Sequence, residues 1–487
     1  MSNLTDLLPA GAGGKQVDFV ASGTIGNGAT VVLNSNGTVS VTSAIEGITV
    51  GTPAVFESAT SNYISATFDT NSNKVVVSYQ DNGNSSYGTA VVGTVSGTSI
   101  NFGTPVVFNA GYTQFTAVTF DSSSGKVVIA YQDNGNSDYG TAIVGTVSGT
   151  SITFGTEVVF DSSSSSAISV TFDSTNNKAV IVYSDGNNGT YGTAIVGTVS
   201  GTAISFGTSA VFNQNTDITA VTFDSNSGKV VIAFRDVTGS YYLAAIVGTV
   251  SGTSISFGSK VVFSTSVFSE FLSTVFDSTN NKIVIAYSDA GNSYYGTAIV
   301  GTVSGTSISF GTPVVFGGGG ATAFTAVTHD TYSGKTVVFY RDGGNSGYGT
   351  AIVGTVSGTG ATGTISFTSP TVFESANTNY VAATFDTANN TTAIAYKDIG
   401  NSSYGTAVTF ATKSSNNTSF IGITDAAISD TATGSVTIKG GISTNVTGLT
   451  PNTDYYVQAD GTLSTTTSSV LAGKALSATS INLDYTT

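Results

Sequence analysis

Four near-copies of one loop carry the residues most able to do chemistry: YQDNGNSSYGTAVV from Tyr79, YQDNGNSDYGTAIV from Tyr131, YSDAGNSYYGTAIV from Tyr287 and YRDGGNSGYGTAIV from Tyr340. Each gathers an Asp carboxylate, amide and hydroxyl side chains, a Gly and a Tyr. Such a set could hold a cation, and Asp81, Asp133, Asp185, Asp236, Asp289, Asp342 and Asp398 would then form a ring of acids. A calcium loop, however, needs carboxylates spaced along it and a distal Glu, and both are missing. With a single His, His329, and no Cys, a transition-metal site lacks its usual ligands. A glycosidase needs two carboxylates in unlike environments, whereas these acids repeat from copy to copy. A sialidase-like site needs a cluster of Arg to fork a carboxylate, and the chain has only Arg235 and Arg341. Neither catalytic residues nor a metal or cofactor are expected.

Composition narrows the class. The 487 residues are 40% hydrophobic and 9% charged, with a net charge of −15, against roughly 25% charged in ordinary soluble domains. Gly, Ser, Thr and Asn fill the difference, which suits strands joined by many turns. Without clustered Lys and Arg, nucleic-acid binding is not expected. No apolar run approaches the ~18 residues of a membrane span, and MSNLTDLLPAGAGG has neither the basic nor the apolar part of a secretory signal.

An aromatic–Asp pair then sets the architecture. It returns at Phe68-Asp69, Phe120-Asp121, Phe172-Asp173, Phe223-Asp224, Phe276-Asp277, His329-Asp330 and Phe385-Asp386, at spacings of 52, 52, 51, 53, 53 and 56 residues. Each of these seven repeats reads as four strands. In the second they are QFTAVTF (114–120), KVVIAY (126–131), GTAIVGTV (140–147) and SITFGTEVVF (151–160). KVVIAY does not alternate apolar with polar, so both of its faces are buried. Four-stranded units of about 50 residues buried on both faces predict an all-β, seven-bladed β-propeller. GITVGTPAVF (47–56) matches a fourth strand, while YGTAVTFAT (404–412) is a third strand with no fourth after it. The N-terminal strand should therefore complete the seventh blade and remove an exposed sheet edge.

The turns between first and second strands are nearly constant, from DTNSNK to DSTNNK. Their Asp is expected to accept hydrogen bonds from the turn backbone, and Gly or Asn before Lys suits a left-handed conformation. Variation gathers at the other end. The connection from fourth strand to next first strand differs in every repeat. So does the residue before the second-strand Asp: Gln80, Gln132, Ser184, Arg235, Ser288, Arg341 and Lys397. Variation on a rigid scaffold is how recognition surfaces are usually organised. The candidate contacts at this end are Tyr63, Tyr112, Phe115, Phe268, Phe271 and Tyr380, with Arg235 and Arg341. Rings can stack on sugars and Arg can pair with acidic groups. His329 reads as a ring substitution within the aromatic–Asp pair.

The flanks, residues 1–43 and 413–487, are expected to form one discontinuous β-module, with the propeller (44–412) inserted. Both chain crossings should lie on the constant face. ASGTIGNGATVVLNSNGTVS in the first flank, with FIGITDAAISDTATGSVTIKGGI and YYVQADGTLSTTTSSVLAGKALSATSINL in the second, resembles small β-modules of bacteriophage virion proteins, in tail fibres and capsid decoration. The repeat SGTSISFGTPVVF is similar to repeats of large phage and marine bacterial surface proteins. The resemblance implies a non-enzymatic virion protein, anchored to other virion proteins by the module, with the propeller's far face meeting a host-surface glycan or protein. A purely structural decoration or fibre protein, a homo-oligomer, and a cellular lectin or adhesin remain open.

Overall fold

Runs of Val, Ile, Thr and aromatic residues, bounded by Gly, Asn and Asp, become strands throughout. The computed structural model describes residues 15–34, 36–42, 48–238, 241–266, 268–317, 319–358, 363–412, 419–458, 461–468 and 470–483. The start MSNLTDLLPAGAGG and the expected boundaries near 43 and 413 lie outside them. Two compact units emerge: Ile48–Ala411, and Met1–Gly47 together with Thr412–Thr487.

In the larger unit one antiparallel pattern recurs seven times. The second strands, such as Lys126–Asp133, pair on one side with a first strand and on the other with a third strand, Tyr139–Ser148. Burial on both faces is complete in the centre: Val127, Val128, Ile129, Ala130 and Tyr131 are 0% exposed. Every turn after the first strand is built alike. The Asp121 carboxylate accepts from the N–H groups of Ser123 (2.9 Å) and Ser124 (3.1 Å), and its six counterparts do the same. The residue before the Lys is left-handed, as at Asn73 (φ 54°) and Gly125 (φ 64°).

The fourth strand departs from expectation, because SITFGTEVVF is not one strand. Ser151–Phe154 pairs with the far half of the third strand, and the chain steps aside at Gly155. Val158–Asp173 then pairs with the near half and continues, with no loop, as the first strand of the next sheet. Ala54–Asp69, Val106–Asp121 and Thr371–Asp386 do likewise. Among the described residues the run is interrupted three times, between Asn213 and Thr216, Ser264 and Glu270, and Gly317 and Thr322.

Phenylalanine clamps bind neighbouring sheets. Phe108, on the strand that crosses over, lies 5.1 Å from the Tyr131 ring of the next second strand, and the other repeats repeat the contact. The same ring covers the Gly of YGTA: a Cβ on Gly140 would lie 2.4 Å from Phe160. The fourth repeat has Leu243 instead, and there Phe263 stands off to 5.7 Å from Tyr287.

The last sheet takes its outer strand from the start of the unit. Ala54–Asp69 pairs with Tyr404–Thr412, Ala54 opposite Ala407 and Thr60 opposite Tyr404. Both ends of the unit therefore lie at the constant-turn end, where Gly51 N–H donates to Thr409 (2.8 Å).

The smaller unit is built from both flanks. Gln16–Val20 pairs with Thr433–Ile438, and Thr30–Leu33 with Phe420–Thr424 and Val39–Val41, in one five-stranded sheet. A second five-stranded sheet holds Ile442–Ser443, Asp454–Val457, Leu463–Ser464, Leu471–Ser477 and Ser480–Leu483. Phe420 of the first sheet is buried with Val446, Val457 and Ile481.

Candidate functional site

The repeated loop is a joint. Asp81 accepts from the N–H groups of Gly83 (2.9 Å) and Asn84 (3.2 Å), capping a single 3₁₀ turn. Asp342 and Asp398 cap theirs through Gly344 and Asn401. Among the described residues no group of three His, Cys, Asp or Glu could hold a metal ion.

The first strands of the seven sheets neighbour one another in cyclic order. One cavity of about 260 Å³ is lined by three consecutive residues from each, from Ile64, Ser65 and Ala66 to Val381, Ala382 and Ala383. Toward the variable end each first strand carries a bulge, where the register slips between Asn62 and Ser65 and at the equivalent places. The bulged residue is Tyr63 (φ 48°), Phe115 (48°), Ala167 (48°), Phe271 (52°), Phe324 (51°) or Tyr380 (49°), and Ile218 holds the same place in the fourth repeat. Bulky residues rarely adopt a positive φ. Here the next repeat fastens the bend: the hydroxyls of Thr116, Thr219 and Thr325 donate to the carbonyls of Tyr63, Ala167 and Phe271.

Five of the seven bulged residues are aromatic, and they follow one another around the mouth. Phe115 lies 5.1 Å from Tyr63, Tyr63 5.4 Å from Tyr380, Tyr380 5.3 Å from Phe324, and Phe324 4.8 Å from Phe271. Ala167 and Ile218 complete the circle without rings. All seven side chains are half-buried. Beside the arc is a pit of about 370 Å³, lined by Phe271, Phe324 and Tyr380 with Ile64, Leu272, Val381 and the carboxylate-bearing Glu270.

Polar groups surround the arc. Gln114 Nε2 donates to the hydroxyls of Tyr63 (3.0 Å) and Tyr112 (3.3 Å). Burial, with Tyr380 and Tyr112 beside it, raises the Tyr63 hydroxyl pKa, keeping it a neutral donor. The variable residue before the second-strand Asp bridges to the following repeat. Gln80 Nε2 donates to the Thr113 carbonyl (2.6 Å), Arg341 Nη1 to Asn379 Oδ1 (2.9 Å) and Lys397 Nζ to Asn62 Oδ1 (2.9 Å). The Arg341 guanidinium lies 5.1 Å from the Phe324 ring centroid, and Lys397 Nζ 5.9 Å from that of Tyr380.

Arg235 is different. It forks onto Asp217 at 2.8 and 2.6 Å, and Glu270 lies 3.9 Å away. Burial pulls its pKa down, but Asp217, then Glu270, hold it above the ordinary value.

Of the residues singled out from sequence, Tyr63, Phe115, Phe271 and Tyr380 therefore meet in one arc, on strand bulges rather than in loops. Arg341 sits beside them, and Tyr112 joins through Gln114. Arg235 is neutralised and lies 6.0 Å from the Tyr241 ring, which packs 4.5 Å from Phe268. Glu270, the second partner of Arg235, lines the pit, so Arg235 borders the mouth with its charge already paired. Phe324, Ile218, Lys397 and Glu270 were not among the sequence candidates. Counting six residues back from each aromatic–Asp carboxylate finds the whole arc, Phe324 and Ile218 included.

No family model matches the chain, and no curated protein matches it. Solved structures do. A protein of unknown function from Dyadobacter fermentans DSM 18053 is 12% identical, with a TM-score of 0.44 over 67% of this chain and 100% of its own. The BP39L lectin from Burkholderia pseudomallei is 12% identical, with a TM-score of 0.49 over 70% and 94%. A triple-substituted form of AofleA from Arthrobotrys oligospora is 12% identical, with a TM-score of 0.38 over 69% and 92%.

Proposed function

We propose that Ile48–Ala411 is a seven-bladed β-propeller whose aromatic mouth binds a saccharide, and that the chain is a non-enzymatic adhesion protein. The ring reading is supported by the single cavity that all seven first strands line, and by the N-terminal strand in the seventh sheet. The observation that carries the function is the file of five half-buried rings beside a pit. Ring faces suit the C–H faces of sugars, and the amides of Gln114, Asn62 and Asn379 suit hydroxyls.

The carrier is the second part of the proposal. The flanking unit resembles phage virion modules, so we place the chain on a particle, with host-surface glycan as its target. That placement rests on the resemblance of the flanks and of the repeat. The test is a glycan panel probed with the whole chain and with Tyr63→Ala and Tyr380→Ala variants, alongside mass spectrometry of purified particles. Binding lost in both variants supports the saccharide reading. Retention in both, or no glycan bound, overturns it. Presence in a cell envelope rather than in particles overturns the virion placement and leaves a cellular lectin.

A further inference from the structure

We propose that the saccharide is acidic, and that Arg341 and Lys397 receive its carboxylate or sulfate at the sixth and seventh repeats. This rests on the saccharide reading above and deepens it.

The charge distribution is the starting point. A chain of net charge −15 spends both of its Arg residues, and Lys397, on one register position beside the mouth. The remaining copies of that position are Gln80, Gln132, Ser184 and Ser288, and Gln80 already makes the bridge to the next repeat without charge. Bridging therefore does not require a cation.

The three cations are not equivalent. Arg235 is matched by Asp217 and Glu270. Among the described residues, no carboxylate lies within ion-pair distance of Arg341 or Lys397. Each is held instead by a neutral Asn of the following repeat, which orients the cation and leaves its charge unspent. Burial lowers the pKa of both, with no anion acting against it. A partly desolvated cation without a counter-ion is unfavourable in the free protein, and an incoming anion removes that penalty.

Position completes the case. Both cations lie against rings of the arc, Arg341 at Phe324 and Lys397 at Tyr380, and those two rings adjoin. A sugar stacked on Phe324 and Tyr380 would carry a ring substituent toward them. The guanidinium offers a planar fork that matches a carboxylate or sulfate. Side-chain amides and Tyr hydroxyls at the rim match a hydroxyl-rich ligand better than an acidic peptide.

The test uses the whole chain on a panel that pairs each uronic-acid, sialic-acid or sulfated oligosaccharide with its methyl-esterified or unsulfated counterpart. The acidic member should bind about tenfold or more tightly, the scale of one charge-assisted hydrogen bond. Arg341→Gln with Lys397→Gln should bring the pair to within about twofold, whereas Arg341→Lys should keep part of the preference. Preference limited to carboxylated or to sulfated members tells the two anions apart, and either supports the proposal. Equal binding of charged and uncharged members overturns it and leaves the saccharide reading standing. So does a preference that the double Gln variant keeps. No binding to any member overturns both. Hexaglutamate peptide competing as well as the best glycan would show an acidic-peptide site and overturn both. Thermal unfolding of each variant confirms that binding is lost from a folded protein.

Discussion

Lys397 Nζ donates a hydrogen bond of 2.9 Å to Asn62, 335 positions away in the sequence. The contact joins the seventh repeat to the first, and the seam between them is fastened at three depths. Tyr63 meets Tyr380 at the mouth, Ala54 pairs opposite Ala407 within the sheet, and Phe56 packs 5.1 Å from Tyr79 and 5.5 Å from Phe102.

The buried level of this seam should hold most of its stability. Phe56 is 5% exposed, so Phe56→Ala is expected to cost about 3–5 kcal/mol. Lys397→Met gives up one half-buried hydrogen bond but also relieves an unpaired, partly desolvated cation, so it should cost about 1 kcal/mol or less. Denaturant titration of the two variants checks this. Equal losses would mean that Phe56 packs less tightly than its burial indicates.

The aromatic arc should behave as a binding surface and not as a seal. Phe324→Ala and Tyr380→Ala are expected to weaken glycan binding about tenfold or more, as truncation of a central aromatic anchor does. Their unfolding midpoints should move less than that of Phe56→Ala. The reverse pattern, stability lost and binding kept, would make the arc a plug over the cavity that the seven first strands line.

The Gly of YGTA should tolerate no side chain where its Phe lid is in place. Gly140→Leu forces a Cβ to 2.4 Å from Phe160, and overpacking of that kind costs about 1–3 kcal/mol. Leu243→Gly should also destabilise, because Leu243 is 0% exposed and leaves a void beneath the displaced Phe263. Calorimetry on both variants checks the pair. A neutral Gly140→Leu would show that the lid moves freely.

Much of this was legible from sequence because the repeat encodes itself. KVVIAY reported its two buried faces, and the Asp of DSSSGK reported its turn, since those roles depend on neighbours in the chain. The arc was only partly legible. Tyr63, Phe115, Phe271 and Tyr380 stand out as aromatic residues at the variable end, but nothing beside them in the chain marks a bulge. The bulge that turns them into the mouth is an irregularity of pairing between strands, and strand pairing leaves no local mark. Phe324 was hidden behind GGGGATA, which reads as a loop. The difference between Arg235 and Arg341 was invisible, because it depends on whether Asp217 or Asn379 faces the guanidinium.

His329 gives a prediction whose sign follows from its surroundings. It stands where the other six repeats carry Phe. The imidazole is 6% exposed, with Nε2 3.1 Å from Thr279 Oγ1 and 3.5 Å from the Asp277 carboxylate. Burial lowers its pKa below the ordinary 6.5, and the opposing pull of Asp277 and Asp330 is weaker. The folded protein therefore keeps the ring neutral at a pH where the unfolded chain already takes up a proton. Stability from this site is complete above pH 6.5 and falls as the pH drops from there toward the lower folded value. Other groups titrate too, so the readout is a difference. The unfolding free energy of the natural protein, minus that of His329→Phe, should be flat well above pH 6.5 and should fall as the pH drops below it. A difference that rises as the solution is acidified would mean that Asp277 outweighs burial and that the folded ring is the stronger base.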